Sequence, residues 1–138
     1  MVRCVVSLLV GPPGPLRDSL RSLVAATPLS LVTAVDGAAE ALASLESCAP
    51  ALVLIDYDDS DPAVWELVRA LVTAHPTTRH IVLVNTVEEQ RQAVAAGAVV
   101  VLLKGFPASR LADIIRSLLP RAEAGTAPTM APALPGPA

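Results

Sequence analysis

The chain has 138 residues, 53% of them apolar and 2% aromatic, with a formal net charge of −3 at pH 7. That length suits one domain whose core is built from Val, Leu, Ile and Ala. The mildly acidic balance, without any basic run, argues against a surface made for nucleic acid or anionic lipid. Lys104 is the single lysine in a chain rich in Ala, Pro and Arg.

Cys4–Val10 is a short apolar run, as expected of a strand buried on both faces. It is too short to span a bilayer and a Pro-rich loop follows, so no signal peptide is expected and the chain reads as cytoplasmic. Cys4 and Cys48 sit in apolar segments without a CxxC or zinc spacing and read as reduced core thiols. After Gly11-Pro12-Pro13-Gly14-Pro15, the segment Leu16–Ala26 places Leu16, Leu20, Leu23 and Val24 at helical spacing. Leu29–Val35 is a second strand. Gly37–Ser47 is a helix with Ala38, Ala41, Leu42 and Leu45 on one stripe.

Ala51–Ile55 is a third, fully apolar strand that ends in Asp56, and Tyr57–Asp61 is an acidic loop. Pro62–Ala74 reads as a helix with Pro62 in its first turn and Val64, Leu67, Val68 and Leu71 inward. His75 and His80 flank a turn, with no third ligand nearby to make a metal site. Ile81–Val84 is the fourth strand. Val87–Ala96 is a short polar helix closed by Gly97 at C′. Val99–Leu103 is the fifth strand, ending in Lys104. Ser109–Leu119 is the last helix, with Leu111, Ile114, Ile115 and Leu118 on one face, and Pro120 ends it.

Five buried strands alternating with five helices predict a parallel sheet covered on both faces, with right-handed crossovers. Residues 1–120 form the expected domain. Residues 121–138 are Ala, Pro, Gly and Thr in the main and read as a disordered tail.

Ligands of open parallel sheets bind at the carboxyl ends of the strands. Those ends supply Gly11-Pro12 after strand one, Asp56 after strand three, Asn85-Thr86 after strand four and Lys104 after strand five. One carboxylate, one ammonium and one small polar group would converge in a shallow crevice. A solvated strand end explains any one of them alone.

These residues resemble the receiver domain of two-component response regulators over about residues 3–119. Leu16-Arg17-Asp18-Ser19-Leu20-Arg21 is similar to the start of that family's first helix. Ala51-Leu52-Val53-Leu54-Ile55-Asp56 is similar to its third strand with the phospho-accepting aspartate. Ala96-Gly97-Ala98 followed by Val101-Leu102-Leu103-Lys104 is similar to its fifth strand with the phosphoryl-site lysine. The stretch through Gly105-Phe106-Pro107 is closest to the subfamily whose receiver precedes a helix-turn-helix output domain. The resemblance implies a flavodoxin-like (βα)5 fold, doubly wound around a five-stranded parallel sheet of order 2-1-3-4-5.

The departures matter as much as the matches. The family has two adjacent acidic residues after strand one that hold Mg²⁺, and counting back from Arg17 those positions are Gly11 and Pro12. Neither has a side-chain oxygen, and Mg²⁺ demands near-octahedral oxygen coordination. No metal ligand set is expected, with Asp58 or Asp59 as the available substitutes. A phosphate-cradling loop is excluded as well, because three of the five residues Gly11–Pro15 are prolines and lack the N–H such a cradle needs. The strand-four hydroxyl position falls on Asn85, with Thr86 next to it. The family's switch aromatic corresponds to Val101, and Gly105 stands where the lysine is usually followed by proline.

The expected function is therefore a receiver-like signalling domain of pseudo-receiver type, not an enzyme. It would act through protein–protein contact rather than Mg²⁺-dependent phosphorylation, with no cofactor or only weakly bound Mg²⁺. The resemblance puts that contact on the fourth helix, fifth strand and fifth helix, here Glu88, Glu89, Gln92, Val101, Arg110, Asp113 and Arg116. The partner would be a histidine kinase, an output protein or a second copy, with no direct nucleic-acid or membrane contact. The alternatives are a functional phospho-acceptor on Asp56 in a phosphorelay, or the receiver part of a truncated transcriptional regulator.

Overall fold

The structure, a computed structural model, describes residues 7–26, 32–47, 49–57 and 61–118. Strand β1 (Ser7–Val10) leads into helix α1 (Pro15–Ala25), and β2 (Val32–Val35) into α2 (Ala38–Ser47). Then follow β3 (Leu52–Asp56), α3 (Val64–Ala74), β4 (Arg79–Val84), α4 (Val87–Ala95), β5 (Val100–Leu103) and α5 (Ala108–Leu118). The strands form one five-stranded sheet of order β2-β1-β3-β4-β5 in which every neighbouring pair is parallel. This is the flavodoxin-like, doubly wound architecture that the alternation of apolar runs and amphipathic segments predicts.

Strand periodicity of two divides the core into two layers. Leu8, Val10, Val53, Ile55, Val82 and Val84 face α2, α3 and α4, where Ala41, Leu45, Leu67, Leu71 and Ala93 meet them. Leu9, Leu52, Leu54, Ile81 and Leu83 face α1 and α5, against Leu20, Val24, Leu111 and Ile115. The scarcity of aromatic residues is offset by this dense aliphatic packing on both faces. Of the three aromatic residues, Phe106 packs against the α1–α5 layer, while Tyr57 and Trp65 stack with ring centroids 4.7 Å apart beside the carboxyl end of β3.

Several local expectations are corrected. Only β1, β3 and β4 are buried throughout, apart from Arg79; β2 and β5 are the sheet edges and are half-buried along most of their length. Leu16, placed by spacing on the inward stripe of α1, is 43% exposed, because it sits in the first turn beyond the edge of the sheet. Helix α3 begins at Val64, after a turn at Pro62-Ala63. Strand β4 starts at Arg79, so His80 lies within the strand instead of beside a turn. Its start is pinned by Arg79 N–H donating to the Ala51 carbonyl and by Thr78 Oγ1 donating to the Pro50 carbonyl. The cysteines Cys4 and Cys48 and the tail from residue 121 lie outside the described residues.

Helix α4 shows how the sequence closes an element. Gly97, at φ +106°, donates its N–H to the Val94 carbonyl at 2.9 Å, and Ala98 donates to the Ala93 carbonyl at 3.0 Å. These paired bonds are a Schellman closure, which needs a residue free to take positive φ at C′. A Cβ on Gly97 would also lie 3.2 Å from Val72 Cγ2 of α3. Gly97→Ala is expected to lower stability by about 1–2 kcal/mol, read from the midpoint of urea unfolding with an unchanged slope.

Candidate functional site

The carboxyl edge of the sheet is set out by backbone bonds between neighbouring strands. Tyr57 N–H donates to the Leu83 carbonyl, extending β3 beside β4, and Lys104 N–H donates to the Val84 carbonyl, extending β5 on the other side of β4. Asp56 and Lys104 thus flank the end of β4, and their side chains meet above it in an ion pair. Lys104 Nζ also donates to the Tyr57 carbonyl at 3.1 Å. The Asp56 side chain is only 6% exposed and that of Lys104 24%. Oδ1 of Asp56 takes no hydrogen bond of good geometry from any other group among the described residues, so the lysine charge is what balances it.

Gly11 follows β1 directly and is buried against this carboxylate. Its N–H donates to the Val35 carbonyl at 3.1 Å, which holds the backbone in register with β2. A Cβ built on Gly11 would lie 2.9 Å from Asp56 Cβ and 3.3 Å from Asp56 Oδ2. The glycine is therefore a packing requirement as well as a missing ligand: the β1 chain has closed up to Asp56. Pro12 and Pro13 are exposed, and Pro15 occupies the first turn of α1, where its missing N–H costs nothing.

A cavity of about 100 Å³ opens beside Gly11, lined by Val10, Pro12, Asp36, Asp56, Asp61 and Val64. Two of its three carboxylates were not singled out from sequence. Asp36 follows β2, a strand end to which the rule that points to Asp56 and Lys104 applies equally. Its Oδ1 accepts from Arg17 Nη1 at 2.7 Å, and the same guanidinium donates to the Gly11 carbonyl at 3.2 Å. Asp61 sits in the acidic loop, but its Oδ2 accepts from Ala38 N–H at 2.9 Å across 23 residues of sequence. That bond caps the amino end of α2, where a negative charge is favoured.

The other expected positions are distributed as follows. Thr86 is the N-cap of α4, its Oγ1 accepting from Glu89 N–H at 3.1 Å while Glu89 Oε1 accepts from Asn85 N–H at 2.7 Å. The pair resembles a capping box, except that Glu89 reaches the N–H of Asn85, one residue before the N-cap. It commits the threonine hydroxyl and Glu89 to the helix start and leaves the Asn85 side chain exposed. Glu88, Gln92, Arg110, Asp113 and Arg116 are exposed on α4 and α5, with Asp113 and Arg116 paired at 2.8 Å. Val101, on β5, is half-buried and packs against the core layer on the α4 side. Asp58 and Asp59 lie outside the described residues.

Among the described residues, the donor set around the cavity does not fit an octahedral Mg²⁺ site. Asp56 faces Lys104, Asp36 faces Arg17 and Asp61 faces a helix N-terminus, while Gly11 and Pro12 bring no oxygen side chain. Among the described residues no group of three His, Cys, Asp or Glu is disposed to hold a metal.

The whole arrangement, a buried aspartate after β3 and a lysine after β5 on a 2-1-3-4-5 sheet, has a clear structural kinship. The fold is that of a receiver domain. The signal receiver domain of an HD domain-containing protein from Pseudomonas fluorescens Pf-5 superposes with a TM-score of 0.74 at 21% identity, covering 90% of this chain and 93% of that one. The receiver domain of NtrX from Brucella abortus gives 0.71 at 22% identity, covering 82% and 97%. A CheY-like protein, tadZ, from Pseudomonas aeruginosa PAO1 gives 0.64 at 25% identity, covering 81% and 98%. No protein-family model and no curated protein matches the chain.

The unequal burial of the ion pair makes its two halves unequal in cost. Removing the lysine strands a carboxylate that water barely reaches, whereas removing the aspartate frees an ammonium that can turn outward. Lys104→Met is expected to destabilise the receiver-like domain by about 2–4 kcal/mol and Asp56→Asn by about 1 kcal/mol or less. Chemical denaturation of both variants at neutral pH checks the order.

Proposed function

We propose that this chain is a pseudo-receiver, a protein-interaction module built on the receiver fold that does not run Mg²⁺-dependent phosphorylation. The observation that carries this reading is the prior engagement of every described carboxylate at the cavity. Asp56 is matched by Lys104, Asp36 by Arg17 and Asp61 by the amino end of α2. A divalent cation would have to displace those partners and still find too few oxygens. Phosphoryl transfer to an aspartate depends on such a cation to neutralise developing charge, so its loss removes a main catalytic contribution.

The surface best suited to a protein partner is formed by α4, β5 and α5. Val87, Val94 and Val99 are more than half exposed there, and Leu103 is 39% exposed. Glu88, Gln92, Arg110, Asp113 and Arg116 are exposed on the same helices, so the surface offers a partner both apolar and charged side chains. A histidine kinase, an output protein or a second copy of the chain are the partners this surface would serve.

The preserved Asp56–Lys104 pair favours one competing reading, a working phospho-acceptor whose metal ligands come from the loop after β3. Beryllofluoride binding followed by NMR, with and without Mg²⁺, separates the two. The pseudo-receiver is expected to show millimolar or poorer Mg²⁺ affinity and no Mg²⁺-dependent analogue binding. Tight, Mg²⁺-dependent binding that disappears in Asp56→Asn establishes the phospho-acceptor instead.

Restoring the acidic pair does not simply rebuild a metal site, because a side chain at position 11 collides with Asp56. Gly11→Ala is expected to cost about 1–3 kcal/mol through that overpacking alone. Thermal melts of Gly11→Ala and Gly11→Asp should both fall well below the native chain. An unperturbed melting temperature for Gly11→Ala would show that β1 is free to move away from Asp56.

A further inference from the structure

His80 stands at the opposite, amino-terminal edge of the sheet from the ion pair. It is the second residue of β4, and only 6% of it is exposed. Strand alternation places it on the same side as Val82 and Val84. Its Nε2 accepts a hydrogen bond from the backbone N–H of Val99 at 3.3 Å. Val99 immediately precedes β5, whose first ladder pairing with β4 is Ile81 with Val100. The imidazole therefore occupies the place of one more rung, holding the entry of the edge strand to the body of the sheet.

That bond exists only while Nε2 is unprotonated, with the imidazole proton on Nδ1. Protonation replaces an acceptor with a donor facing another donor and buries a cation. Among the described residues lining its cavity, no carboxylate offers that cation a counter-charge. The adjacent cavity of about 90 Å³ is lined by Leu71 of α3, Pro76 and Thr78 of the following turn, Arg79 of β4, Val99, Val100 of β5 and Leu118 of α5. Val53 of β3 is the neighbour in the sheet. The titratable groups nearest in the chain are His75 at the end of α3 and Arg79, and no carboxylate lines the cavity. Desolvation by burial accordingly holds the His80 pKa below its ordinary value of 6.5.

We propose that His80 is a proton-operated fastener for β5: neutral, it ties the α4–β5 junction to β4, and protonated, it releases that junction while the central strands stay folded. The sign follows from linkage. The opened state binds a proton more readily than the closed one, so closure is fully favoured above the ordinary histidine range and weakens as pH falls. The fastener is independent of the proposed partner surface. Its consequence for binding rests on that reading, since exposed Val99 and Leu103 belong to the proposed surface.

The test is amide hydrogen exchange by NMR on the full chain between about pH 8 and about pH 5, expressed as protection factors to remove the intrinsic pH dependence of exchange. The opening equilibrium at Val99 is expected to rise about tenfold for each pH unit below 6.5 until the folded imidazole itself titrates, while Val82 in the central strand keeps its protection. His80→Gln, which retains an acceptor without a titrating proton, should make Val99 protection independent of pH. Should that variant not fold, titration of the native imidazole by NMR decides alone. A His80 pKa at or above 6.5, pH-independent protection at Val99 in the native chain, or a loss shared equally by Val82 would each overturn the proposal.

Discussion

A carboxylate that ends β3 and an ammonium that follows β5 meet across the end of β4, and the carboxyl edge of the sheet is organised around that pair. Asp56 is almost wholly buried, so its charge has to be balanced from within the protein. Lys104 does so, and in reaching it also binds the Tyr57 carbonyl, which fixes the turn out of β3. Tyr57 stacks on Trp65 and thereby seats the first turn of α3. On the other side Gly11 lets β1 approach the same carboxylate with no atom to spare. Four elements are thus positioned by one charge.

Other polar groups of the same edge hold its elements together. Arg17 bridges the Gly11 carbonyl and Asp36, joining the start of α1 to the ends of β1 and β2. Asp61 caps α2, and Thr86 with Glu89 caps α4. Each of these bonds satisfies a backbone group or a charge that would otherwise be orphaned at a strand end or helix start. These side chains thereby tie the strand ends and helix starts of the edge to one another.

The two edges of the sheet differ in kind. The carboxyl edge is tied by fixed charges, Asp56 with Lys104 and Asp36 with Arg17. The amino edge is tied by neutral groups, Thr78 to the Pro50 carbonyl and Val99 to the His80 imidazole. Only the latter includes a group that changes charge in the mildly acidic range. Sensitivity to protons is thereby placed on the half-buried edge strand, where local opening leaves the two core layers intact.

The sequence by itself determined the element order, the two-sided burial of the central strands and the carboxyl-edge placement of Asp56 and Lys104, because period-two and helical apolar patterns are local properties of the chain. It also determined that Gly97 closes α4, since only a residue tolerant of positive φ meets that need. Other features were decided by tertiary structure alone. Which strands lie at the edges depends on sheet order, and so β2 and β5 are half-buried despite apolar sequences like those of their neighbours. The engagement of Asp36 by Arg17, the capping of α2 by Asp61 and the clash awaiting any side chain at Gly11 are contacts between residues far apart in the chain. No periodicity encodes such contacts, because they arise only when the strand ends are brought side by side.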